Sequence, residues 1–113
     1  MIKGKVVLVP FPFDDLSSVK LRPAVCLSNS IGRHNHVILA FMTSHIIENK
    51  LESDVIIDFT KNKFDLTGLR VASTLRLHRL ITVSTSIIKR ELGKIPKELQ
   101  IEIDKKLRRL FIL

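Results

Sequence analysis

From Val71 to Val83 the chain reads VASTLRLHRLITV, and within STLRLHRL the residues Leu75 and Leu77 alternate with Thr74, Arg76 and His78. A period of two excludes a helix here and requires a strand whose apolar face is covered while the other carries a base and an imidazole. The remaining apolar segments are shorter and bounded by turn residues. Lys5 to Val9 reads as a strand ended by Pro10 and Pro12. Phe13 to Lys20, FDDLSSVK, reads as a polar loop, because Asp and Ser compete for backbone hydrogen bonds. Arg22 to Asn29 and His36 to Thr43 read as two strands joined by SIGRHN, and Val55 to Phe59 as a shorter strand followed by the turn-rich NKFDLTG.

Helical signals come late. Ser84 is an N-cap candidate for a short helix ending at Gly93, and Pro96 opens a final helix at its first turn. In that helix Leu99, Ile103, Leu107 and Leu110 share one face, and Glu102 with Lys106 and Asp104 with Arg108 stand at i,i+4 spacing. The expected fold class is α+β or a small β-barrel: one domain over residues 1–113, with a curved, mostly antiparallel sheet and helices at its end. The chain of 113 residues suffices for one modest core, and no repeat divides it.

A symmetric pairing of the two central strands sets Val25 opposite Ala40, Asn29 opposite His36 and Arg22 opposite Thr43. Opposed residues share a face with Cβ atoms roughly 4.5–5.5 Å apart, so a guanidinium and a hydroxyl would meet at the open end of the hairpin. A slip of one residue would bring Ser44 there instead.

Charge points to a polyanionic partner. The net charge is +8, with bases far outnumbering acids from Arg70 to Leu113 and acids prevailing between Glu48 and Leu69. A solvated basic surface is the bland alternative. Hydrophobic residues make up 45 % of the chain and mean hydropathy is +0.20, an aliphatic surplus that suggests a subunit interface. VVLVPFPF carries two prolines and is followed by Asp14 and Asp15, unlike a signal peptide, and no segment has the length of a membrane span. The single cysteine, Cys26, excludes an internal disulfide and reads as a buried thiol; a cytoplasmic location is expected. His34, His36 and His45 lack an acid or thiol at ligand spacing, so no metal and no cofactor is expected. Base stacking would fall to Phe11, Phe13, Phe41, Phe59 or Phe64, several of which must be core.

GKVVLVPFPFDDLSSVKLRPAVCLSN, from Gly4 to Asn29, resembles the amino-terminal signature of the MazF/PemK toxins: a glycine, a strand ending in proline and phenylalanine, a polar loop, then Lys-x-Arg-Pro-Ala-Val. VILAFMTSHI, STLRLHRLITV and LGKIPKELQIEIDKKLRRLFIL are similar to that family's following strands and terminal helix. The resemblance spans essentially the whole chain. It implies an SH3-like barrel and a homodimeric, metal-independent endoribonuclease of a type II toxin-antitoxin system. Such an enzyme cuts single-stranded RNA and is held inactive by a cognate antitoxin. Arg22 and Thr43 fall on the family's catalytic arginine and threonine. Lys20, Ser44, Arg76, Arg79, Asp14 and Asp15 are the RNA-binding candidates. His78 stands where an acid is common, and Lys5 where an Asp often follows the first glycine.

The residue types suit that chemistry in their own right. RNA carries its nucleophile, the 2′-OH, so catalysis reduces to alignment, proton transfer and stabilisation of a crowded phosphorane. Arg22 suits the phosphorane oxygens, Thr43 a phosphate oxygen, and His78 proton transfer. Two alternatives remain at the level of sequence: a catalytically silent barrel that binds nucleic acid or protein, and a toxin of the same fold directed at gyrase.

Overall fold

The computed structural model describes residues 1–11 and 20–113. Among them, six strands form one antiparallel sheet in the order β4-β5-β3-β2-β1-β6. They are β1 (Lys5–Phe11), β2 (Lys20–Cys26), β3 (His36–Thr43), β4 (Asp54–Ile57), β5 (Ser73–Ser84) and β6 (Arg90–Lys94), followed by helix α1 (Lys97–Phe111).

The β2–β3 register matches the symmetric pairing, with Ala24 opposite Phe41, Val25 opposite Ala40 and Cys26 opposite Leu39. The turn closes differently: Ile31, rather than Asn29, bridges to His36, because Asn35 at φ 52 completes a tight turn with its N–H on the Gly32 carbonyl. At the other end the ladder stops at Ala24. Leu27 N donates to Ile38 O at 2.8 Å, so Val25 and Pro23 also turn their main chain toward β3, and Pro23 has no N–H to give.

β1 runs through Pro10 to Phe11 instead of ending at Val9. The β6 ladder on β1 stops at Leu8, so Pro10 lies where β1 has a single neighbour and its missing N–H is tolerated. β5 serves two neighbours. Its second half, Leu80–Ser84, pairs with β3, while Ser73–Arg76 pair with β4; between Ala40 and Met42 the β3–β5 register shifts. The irregularity bends β5 near Arg76–Arg79 and so curls the sheet.

Alternation along the strands separates two cores. Val6, Val25, Ala40, Met42, Val55, Ile57, Leu75 and Leu77 point toward α1, which contributes Leu99 and the fully buried Ile103, with Leu107 and Leu110 packed alongside. Val7, Val9, Ala24, Cys26, Val37, Leu39 and Phe41 form the cluster on the other face. Ile103→Ala would leave a cavity costing about 3 kcal/mol. The helix carries the expected Glu102–Lys106 pair at 3.3 Å, whereas Asp104 accepts from Gln100 Nε2 at 2.9 Å and lies 3.7 Å from Lys3 rather than taking Arg108.

The segment expected as a helix from Ser84 to Gly93 is a 3-10 turn followed by a strand. Ser84 Oγ does accept from Ser86 N at 3.2 Å, but it caps a single 3-10 turn, Thr85–Ile87, and the chain then pairs with β1 as β6. The turn-rich NKFDLTG forms a second 3-10 turn, Phe64–Thr67, which packs on β6. There Gly68, at φ +72, and Gly93 meet so closely that a Cβ on either would overlap backbone of Leu92 or of Leu66 and Thr67. This contact joins β6, at one edge of the sheet, to the 3-10 turn between β4 and β5 at the other.

Candidate functional site

Arg22 occupies β2 opposite Val9 of β1, and Thr43 ends β3 opposite Thr74 of β5. Both are half-buried. They share the face of Ala24 and Phe41, the one turned away from α1. Extending the β2–β3 register by two residues sets Arg22 across from Thr43 at the end of the hairpin, beyond the point where Pro23 interrupts the ladder. Thr43 Oγ1 donates to the carbonyl of His45 at 3.2 Å. Lys20 and Ser44, next to them in sequence, are exposed. The flanking Asp14 and Asp15 lie outside the described residues.

Arg76 is held elsewhere. It faces Asp54 across the β4–β5 ladder, Nε 2.8 Å from Oδ1, with the carboxylate fully buried. Asp54 also accepts Leu51 N on Oδ2 at 2.8 Å, and its carbonyl receives Lys106 Nζ of α1 at 2.6 Å. Asp54 escapes a reading of the sequence because the apolar run that marks the strand begins one residue later, at Val55. Carrying the alternation back by that residue places an acid opposite Arg76.

His78 and Arg79 are exposed. His78 lines an open cavity of about 470 Å³ with Leu51, Glu52, Ser53, Lys106, Arg109 and Leu110. It therefore stands in the middle of β5, on a cavity shared with the carboxy-terminal half of α1 and four residues along the strand from Thr74, the partner of Thr43.

Among the described residues, no group of three His, Cys, Asp or Glu converges as a metal would need; the rings of His34 and His36 lie 6.0 Å apart on the hairpin turn. Of the phenylalanines, Phe41 and Phe64 are core, while Phe59 is 74 % exposed and packs its ring on Phe64. Cys26 is buried, and burial first, then Glu91, raise its pKa to about 11 against a smaller opposing effect of Lys5. No described helix is long and apolar enough to cross a membrane.

Together these features define a class: a six-stranded, curled antiparallel half-barrel with one carboxy-terminal helix and a polar, cationic site on the sheet face opposite that helix. The family model of the PemK-like, MazF-like toxin of type II toxin-antitoxin systems matches residues 2–111. The chain belongs to this family. Similar solved structures include an endoribonuclease in complex with its cognate antitoxin from Mycobacterial species, at 16 % identity and TM-score 0.72, covering 100 % of this chain and 96 % of that one. Mycobacterium tuberculosis toxin MazF-mt6 gives 17 % identity and TM-score 0.72 over 96 % of this chain and 97 % of its own. An endoribonuclease from Mycobacterial species gives 15 % and 0.68 over 100 % and 92 %. At these identities the likeness is one of fold. No curated protein sequence matches the chain.

Proposed function

We propose that this PemK/MazF-like toxin is an endoribonuclease that cuts single-stranded RNA without a metal ion, leaving a 2′,3′-cyclic phosphate and a 5′-OH. The observation that carries the reading is the placement of Arg22 and Thr43 on one sheet face, at the end of the β2–β3 hairpin, in a member of this toxin family. In the reaction the 2′-oxygen bonds to phosphorus, the bond from phosphorus to the 5′-oxygen breaks, and the proton lost from the 2′-OH is balanced by one delivered to the leaving oxygen. Arg22 stabilises the phosphorane oxygens by planar, charged hydrogen bonds, and Thr43 holds a phosphate oxygen. Lys20, Ser44 and Arg79, all exposed, guide the flanking strand, while Arg76 stays with Asp54. His78 lines a cavity shared with Lys106, Arg109 and Glu52, apart from Arg22 and Thr43, which supports a role in binding the RNA over one in proton transfer.

The toxin acts as a two-fold dimer in the cytoplasm and is silenced by a cognate antitoxin. Exposed Leu21, Ile31, Ile46, Val71 and Ile101 support a subunit interface, and one similar structure holds an endoribonuclease with its antitoxin. The test is incubation of the pure protein with a long RNA in EDTA, with the new ends mapped chemically. Cyclic phosphate and 5′-OH ends are expected. Intact RNA at high enzyme concentration, or cleavage abolished by the chelator, overturns the reading.

A further inference from the structure

We infer that Thr74 is a positioning residue for Thr43, a role that rests on the catalytic reading of Thr43 given above. Thr74 is fully buried and stands directly across from Thr43 in the β3–β5 ladder. Its hydroxyl donates to the His45 carbonyl at 2.9 Å and accepts from Ile47 N at 3.3 Å. Thr43 Oγ1 donates to the same carbonyl at 3.2 Å. Two hydroxyls from adjacent strands thus converge on one backbone oxygen, just after the strand that ends at Thr43.

The arrangement has two chemical consequences. First, the Thr74 hydroxyl ties the segment 44–47 to β5 at two main-chain atoms, which fixes the backbone that follows Thr43. Second, a hydroxyl has a single proton, so while Thr43 donates to His45 O it has none for a phosphate oxygen. A carbonyl accepts two hydrogen bonds, and the shorter one here comes from Thr74. When RNA arrives, Thr43 turns its proton to the phosphate and His45 O keeps its hydrogen bond from Thr74, so the segment after Thr43 stays tied to β5 through the switch. Valine would fill the same volume as Thr74. Only the hydroxyl makes these bonds, and being buried it does not reach the RNA itself.

The experiment measures single-turnover cleavage at saturating enzyme, together with the affinity for an uncleavable 2′-O-methyl RNA, for the parent, Thr74→Val, Thr74→Ser, Thr43→Val and the Thr43→Val/Thr74→Val double variant. Thr74→Val should slow cleavage about 10- to 100-fold, the scale of a small misplacement of a reacting group, with affinity unchanged. Thr74→Ser, which keeps both bonds, should cleave like the parent. In the Thr43→Val background the Thr74→Val change should have no further effect, because residues acting as a unit are non-additive. Full activity of Thr74→Val, or an equal loss in both backgrounds, overturns the inference while leaving the reading of Thr43 standing. Full activity of Thr43→Val overturns both. Should Thr74→Val not fold, hydrogen exchange of the parent decides: the Ile47 amide should be protected, and exchange at the rate of an unstructured peptide overturns the brace.

Discussion

Asp54 and Arg76 face one another across β4 and β5 with Oδ1 2.8 Å from Nε, yet neither atom meets hydrogen-bond geometry, so the contact is one of charge more than of a directed bond. The carboxylate is fully buried and the guanidinium side chain 19 % exposed. With Lys106 on the Asp54 carbonyl, the pair joins β4, β5 and α1 at one point. Asp54→Asn should lower stability by about 3 kcal/mol, the lower end for removing one member of a buried pair, since water reaches Arg76. Replacing both, Asp54→Leu with Arg76→Met, should cost less than Asp54→Asn. Urea unfolding followed by circular dichroism checks both, and an Asp54→Asn midpoint equal to the parent's would reduce the pair to a passive contact.

Arg22→Ala should still fold and should slow RNA cleavage at least about 100-fold, the usual cost of losing a preorganised transition-state donor. Arg22→Lys should recover only part of the rate, because an ammonium cannot donate in a planar, bidentate way. Thr43→Val, uncharged and isosteric, should cost less than Arg22→Ala. Equal rates for Arg22→Ala and parent would return Arg22 to the role of a rim charge.

That the hairpin register was legible while its ends were not has a physical reason. A near-symmetric loop fixes which residues oppose, so Val25 meets Ala40, and the apolar spacing of Leu99, Ile103, Leu107 and Leu110 fixes the buried face of α1. β6 was hidden because RELGK has little strand propensity. It is extended only because the edge of β1 is there to pair with, a tertiary cause that local sequence does not carry. Asp54 was hidden for a related reason: a buried acid is admitted by its partner Arg76, far away in sequence. Thr43 and Thr74 are plain hydroxyls in the sequence, and only the β3–β5 register brings them to one carbonyl.

His78→Ala should weaken RNA affinity, most at low salt, and leave both limbs of the pH–rate profile in place, given that His78 lines a cavity shared with Lys106, Arg109 and Glu52. Loss of a limb, with affinity unchanged, would assign proton transfer to His78 instead.

Cys26 should resist a thiol-specific reagent at pH 8 until the chain unfolds, since burial keeps its proton to about pH 11. The unfolded thiol ionises near 9.0, so between that pH and about 11 ionisation favours the unfolded chain and stability falls as pH rises. In a Cys26→Ala variant this alkaline decline should be shallower. Rapid labelling of the folded parent at pH 8 would contradict the assignment.

The pairing of β1 with β6 governs when the molecule can come into being. Synthesis runs from the amino terminus, so β1 leaves the ribosome before the other strands but receives its second neighbour only once residues 90–94 have emerged. Until then one flank of β1 is an open edge, and Gly68 has no Gly93 to meet. The strands bearing Arg22 and Thr43 are made well before the sheet that holds them can close. A nascent chain that stops short of β6 therefore has no finished half-barrel, and the strands that carry Arg22 and Thr43 wait on residues 90–94 for the sheet that frames them to be completed.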